Sequence, residues 1–173
     1  MNGIDGLLAA NEAYAATPPT VTEARPARRI AVVTCMDARI DALAVLGLDL
    51  GDAHVIRNAG GRVTDDVLRS LALSTHVLGV DTVVVIQHTR CGLAGVTDEE
   101  LRRLTGADLA FLPIDDHAAA LREDVARLAQ TPFLGGVRAI GGLLYDVDTG
   151  RLADVVRHEP GPGEGSAEGG VGG

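Results

Sequence analysis

Two short segments of this chain carry residue types that do chemistry together. The first is Cys35-Met36-Asp37-Ala38-Arg39 and the second is His88-Thr89-Arg90-Cys91-Gly92. Two thiols and an imidazole form a donor set suited to zinc, a borderline-soft ion. His88 and Cys91 stand about one helical turn apart, so one short turn presents both, and Cys35 supplies a third ligand from elsewhere in the chain. Three protein ligands leave one tetrahedral position open, the pattern of a catalytic rather than a structural site. The nearby candidate for a fourth ligand is the carboxylate of Asp37. Arg39 can hold that carboxylate in a charge-assisted, bidentate pair. So held, Asp37 accepts a hydrogen bond from zinc-bound hydroxide and orients it; released, it ligates zinc and closes the site. Rising pH is expected to favour the open form, and a first shell unchanged between acid and alkali would contradict that.

The elements around these segments must bring them into one place. An apolar run at 29–34 reads as a strand buried on both faces, with strand-like runs following at 53–57, 81–87 and 137–145. The glycine pair Gly141-Gly142 inside the last of these marks a bulge or a close backbone approach. Asp148-Thr149-Gly150 reads as a turn into a short final strand at 151–156. Helices are expected at 4–16, from an N-cap at Thr64 to about Val77, at Asp98-Glu99-Glu100, and at 115–130. Strands alternating with helices imply an α/β fold: a central, mostly parallel sheet of four strands plus a short edge strand, with helices on both faces. Both reactive segments follow predicted strands. In an open parallel sheet ligands bind outside the carboxyl ends, so neighbouring strands would bring the two segments to one crevice.

Composition narrows the functional classes. The 173 residues suit one domain, taken as 1–160, followed by a Gly-rich tail at 161–173 that has almost nothing to bury and is expected to be disordered. Net charge is −9 and every basic side chain is arginine, which argues against nucleic acid or an anionic membrane surface as partner. No apolar run is long enough to span a membrane, and the apolar stretch at 7–10 lacks the positive flank of a secretory signal, so a cytoplasmic protein is expected. In a reducing compartment the two cysteines are more readily metal ligands than a disulfide.

The segments Cys-Met-Asp-Ala-Arg, His54-Val55-Ile56-Arg57-Asn58-Ala59-Gly60-Gly61 and His-Thr-Arg-Cys-Gly resemble the β-class carbonic anhydrases, especially their short prokaryotic branch. The likeness is strong over about 30–95 and weaker to about 157. It implies one zinc per subunit on Cys35, His88 and Cys91, and a catalytic pair of Asp37 and Arg39. It implies a cleft lined by Asn58, Ala59 and Gly60, and the interconversion of carbon dioxide and bicarbonate by zinc-bound hydroxide. It also implies an obligate homodimer, or a dimer of dimers, with the N-terminal helix packed on the partner. One departure stands out: Arg90 occupies a position where short-branch relatives commonly carry Asp, which alters the charge beside the metal.

Other readings stay open on the sequence. A carbon disulfide or carbonyl sulfide hydrolase on the same scaffold would use the same zinc chemistry. A catalytically silent, zinc-binding regulatory protein would not need both Asp37 and Arg39. A thiol redox protein would want a Cys-x-x-Cys spacing that the chain lacks. His54 reads as a satisfied structural histidine rather than a proton shuttle. Arg57 and Arg62 either line the cleft or form ion pairs at the dimer interface, and His76 and His117 carry no assigned role.

Overall fold

The computed structural model describes residues 3–18, 20–134 and 136–159. The tail expected to be disordered lies outside these residues. Five strands form one sheet: β1 (Ile30–Cys35), β2 (Ala53–Asn58), β3 (Thr82–His88), β4 (Ala139–Tyr145) and β5 (Leu152–His158). Their spatial order is β2-β1-β3-β4-β5, with the first four parallel and β5 antiparallel to β4. The helices are α1 (Gly3–Ala15), α2 (Asp65–His76), α3 (Asp98–Thr105) and α4 (His117–Ala129). The expected mostly parallel α/β sheet is therefore present. β5 is the short edge strand foreseen; it runs seven residues to His158, and a bulge shifts its register against β4 between Gly142 and Leu143.

The glycine pair in β4 does both things its sequence suggested. It sits at that bulge, and a Cβ on Gly142 would fall 2.6 Å from Val156 Cγ1 and 3.2 Å from Val125 Cγ2, so α4 packs directly on bare backbone.

Alternation along the strands assigns the faces. Ala31, Val33, Val83, Val85 and Ile140 point into one aliphatic core, and they meet Val67 and Leu71 of α2 and Leu121, Val125 and Leu128 of α4. The sequence reading placed helices on both faces; α2 and α4 share this one. On the other face the half-buried Thr82, Val84, Gly141 and Leu143 line a shallow cavity with Arg157 and Glu159. The helix starts follow local chemistry. The Thr64 hydroxyl accepts from the Val67 amide, Thr97 and Glu100 form a reciprocal capping box, and Asp116 accepts from the Ala118 and Ala119 amides. Helix α1 buries none of its residues on its own chain. Among the described residues no helix is long and apolar enough to cross a membrane.

Candidate metal centre

β1 and β3 are hydrogen-bonded neighbours, so their carboxyl ends deliver Cys35 and His88 side by side. Cys91 follows in the turn after β3, where Arg90 takes the left-handed conformation (φ 53°). The ligand atoms of Cys35, His88 and Cys91 all lie within 4.8 Å of one another, and all three residues are buried. The two sulfurs are 3.9 Å apart.

The donor set fits a metal ion on this structure's own terms. His88 Nδ1 lies 2.9 Å from the Thr89 carbonyl, so it carries the proton and donates it there. That leaves Nε2 with its lone pair facing inwards, and it is a buried side-chain nitrogen with no hydrogen-bond partner. An orphaned buried acceptor beside two thiols is costly unless a cation takes it up. Burial raises the Cys35 thiol, but the His88 imidazole and the amides of Asp37 and Gly60 outweigh it and bring the pKa down to about 7. Burial pushes Cys91 up, and the neighbouring Cys35 adds to the rise. Two thiolates at this distance repel each other; a divalent cation between them would stabilise both.

Asp37 lies outside the ligand cluster. Arg39 grips it with Nε on Oδ1 at 2.9 Å and Nη2 on Oδ2 at 2.7 Å, and the Arg39 amide also donates to Oδ1 at 2.9 Å. Those bonds hold the carboxyl well below the usual carboxylate range. Asp37 Oδ2 is still only 3.7 Å from His88 Nε2, so the paired carboxylate faces the centre from the side.

Further residues hold these parts in place. Arg57 donates through Nε to the Cys35 carbonyl at 3.0 Å and through Nη2 to the Asp37 carbonyl at 2.6 Å, clamping the Cys-x-Asp backbone from β2. These two bonds are made to backbone oxygens, which a reading of side-chain partners alone does not anticipate. Asn58 uses its amide within its own turn, donating to the Arg62 carbonyl at 2.7 Å and accepting from the Arg62 amide at 3.0 Å. Ala59 is exposed, and buried Gly60 points its amide at Cys35. Gly61 (φ 64°) leaves no room for a side chain, since a Cβ would lie 2.8 Å from the Ile86 carbonyl oxygen and 2.9 Å from the Cys35 nitrogen. Arg62 is ion-paired inside its own chain, held by Asp124 and Glu123 at 2.8 Å each, rather than across a dimer interface. His54 is satisfied at both nitrogens, by the Ser74 hydroxyl at 2.8 Å and the Ala24 carbonyl at 3.0 Å, as its strand position suggested. An apolar cluster of Ile40, Leu93 and Ile114, with Phe111 and Tyr145 against it, surrounds the two thiols.

Over residues 30–131 the chain matches the family model for carbonic anhydrase. The chain belongs to the carbonic anhydrase family. Its place is in the β class: beta-carbonic anhydrase 1 of Mycobacterium tuberculosis is 37% identical over 161 residues, covering 90% of this chain and 99% of that protein. A carbon disulfide hydrolase of Acidithiobacillus thiooxidans is 46% identical over 152 residues, covering 72% of this chain and 76% of that protein. The crystal structure of carbonic anhydrase from Streptococcus mutans superposes with a TM-score of 0.82 at 43% identity, covering 90% of this chain and 99% of the other.

Proposed function

We propose that this carbonic anhydrase family member interconverts carbon dioxide and bicarbonate at a zinc ion held by Cys35, His88 and Cys91, with Asp37 and Arg39 as the catalytic pair. The observation that carries this reading is the unpartnered, buried Nε2 of His88 facing two thiols. When bound, zinc lowers the pKa of a coordinated water from 15.7 to roughly 7 and so supplies hydroxide near neutrality.

The chain's own residues do the rest. Cys35 and Cys91 bring more negative charge than imidazoles would, which favours activity at alkaline pH. Asp37, kept ionised by Arg39, is an acceptor at the edge of the centre; it takes a hydrogen bond from the nucleophile and fixes its direction. Arg57 prevents the backbone on which Asp37 stands from drifting. Leu93, Ile114 and Phe111 offer apolar surface to a small, uncharged substrate and keep bulk water away.

Stopped-flow CO2 hydration by zinc-replete protein tests the proposal. Asp37→Asn keeps the shape but loses the charge that Arg39 reads, and is expected to lower kcat/KM by roughly 10–100-fold with zinc content retained. Wild-type protein that holds zinc but does not hydrate CO2 sinks the assignment. A second reading, carbon disulfide hydrolysis, is favoured by the 46% identity to a carbon disulfide hydrolase. Parallel assays on the two substrates separate them.

The reading treats residues 1–160 as one cytoplasmic domain working as a homodimer. The support is α1: Leu7, Leu8 and Tyr14 are exposed on a helix that buries no residue on its own chain. Light scattering that returns a monomer at micromolar concentration refutes the dimer.

A further inference from the structure

The turn carrying Arg90 is tied to the β4–β5 hairpin at three points. The Thr89 amide donates to the Tyr145 carbonyl at 2.9 Å, the Val147 amide donates to the Thr89 hydroxyl at 3.1 Å, and the Arg90 guanidinium pairs with the Asp148 carboxylate. The hairpin tip is built to present that carboxylate. Asp146 Oδ1 accepts from the Asp148 and Thr149 amides at 2.8 and 3.1 Å, and the Gly150 amide closes on the Asp146 carbonyl at 2.8 Å.

Arg90 adopts a positive φ of 53°, a conformation that residues with a Cβ take at a cost. In it the Arg90 carbonyl accepts from Arg39 Nη2 at 3.0 Å. The same nitrogen holds Asp37 Oδ2 at 2.7 Å. Contacts therefore run without a gap from Asp148 to the Arg90 side chain, through the Arg90 carbonyl to Arg39, and on to Asp37. The charge on Arg39 is held first by its bonds to Asp37 and further by the field of Asp148.

We propose that Arg90 and Asp148 are positioning residues: their pair latches the turn before Cys91 so that its carbonyl holds Arg39 on Asp37 and keeps that carboxylate off the metal. The inference rests on the metal centre proposed above. Asp37 has two alternatives, the guanidinium of Arg39 or the open metal position, and its backbone is already clamped by Arg57. Asp37 Oδ2 stands 3.7 Å from His88 Nε2, so both alternatives lie close to it. Arg90 and Asp148 are exposed (61% and 59%), and an exposed pair contributes little to folding stability. A small bias on an equilibrium between two close alternatives nevertheless shifts their populations measurably.

The test uses the full chain with cobalt(II) in place of zinc, and titrates azide into the open position at fixed pH and ionic strength, read by visible absorption. Asp148→Asn and Arg90→Gln are each expected to weaken azide binding about two- to fivefold, the range an exposed ion pair supports. The double variant should bind no more weakly than either single one, because both remove one interaction. Asp148→Glu keeps the charge and should restore wild-type affinity. Single variants that bind azide as tightly as wild type, or a double variant with twice the loss, overturn the latch. Cobalt content separates the two levels of the argument: wild type that takes up no cobalt brings down the centre and the latch with it. Cobalt-loaded variants indistinguishable from wild type remove the latch alone.

Discussion

Replacing Cys35 with serine is expected to strip the protein of zinc and to lower CO2 hydration at least roughly 10³-fold, consistent with the several kcal/mol of transition-state stabilisation a catalytic metal supplies. Serine has nearly the same shape but does not ionise near neutrality, and its oxygen is a poorer partner for this ion than thiolate. Cys35 is the ligand the protein prepares most thoroughly: three neighbours pull its pKa down to about 7 against the effect of burial. It also sits at the last position of β1, with its carbonyl held by Arg57, so the exchange changes one donor atom in a fixed frame. Elemental analysis and stopped-flow assay on the same sample check the result. Full zinc occupancy with wild-type turnover in the variant would dismantle the centre.

Much of this frame is legible before any coordinates. The continuous apolar runs of β1 and β3 read as strands, and each ends at a reactive residue. Adjacency of the two is the step that sequence patterning leaves open, and the register Thr34 with Ile86 closes it. The strand boundaries drift by a residue or two, as at the end of β5, because the pairing of the last residues with β4 is not visible in the apolar pattern. Two helices on one face are harder to foresee. The patterning of α2 and α4 says that each has an apolar stripe, but not which side of the sheet receives it.

The centre divides in the same way. Ligand identity is readable from Cys35, His88 and Cys91, because donor type and spacing constrain metal chemistry strongly. The state of Asp37 is not, because one carboxylate serves either as ligand or as partner of Arg39, and only geometry shows it on Arg39. The roles that sequence leaves undecided are played on backbone atoms or across long sequence separations. Arg57 donates to two carbonyls, and carbonyls carry no sequence signature. Asp148 meets Arg90 from 58 positions away, in a turn that reads only as a turn. The Asn58 amide closes the turn that aims Gly60 at Cys35, a role that the family likeness does not specify.

The buried Arg62–Asp124 pair leads to the second large effect. Asp124→Ala is expected to destabilise the fold by about 3–5 kcal/mol, the usual consequence of leaving one member of a buried ion pair alone. Both side chains are almost completely enclosed, at 5% and 3% exposure, whereas the other carboxylate on Arg62, that of Glu123, is 73% exposed and a weak substitute. Burial pushes the Asp124 carboxyl up, and Arg62 and the Val63 amide pull the other way. Arg62 Nε at 2.8 Å, the Val63 amide at 3.2 Å and Gln87 Nε2 at 3.2 Å donate to its two oxygens. Truncation frees all three donors at once inside the protein. For a chain of this length the loss corresponds to a fall in Tm of roughly 10 °C. A double variant, Arg62→Met with Asp124→Leu, removes both charges and should recover part of the loss, since no buried charge is left alone, while the Val63 amide and Gln87 Nε2 still lack their acceptor. The effect reaches the metal as well. Arg62 closes the turn begun at Asn58, and Gln87 directly precedes His88, so the single variant should bind zinc more weakly even at temperatures where it stays folded. Denaturation midpoints within about 0.5 kcal/mol of wild type would mean that water replaces the carboxylate without cost, and that the pair is not what holds the Asn58–Val63 turn against the centre.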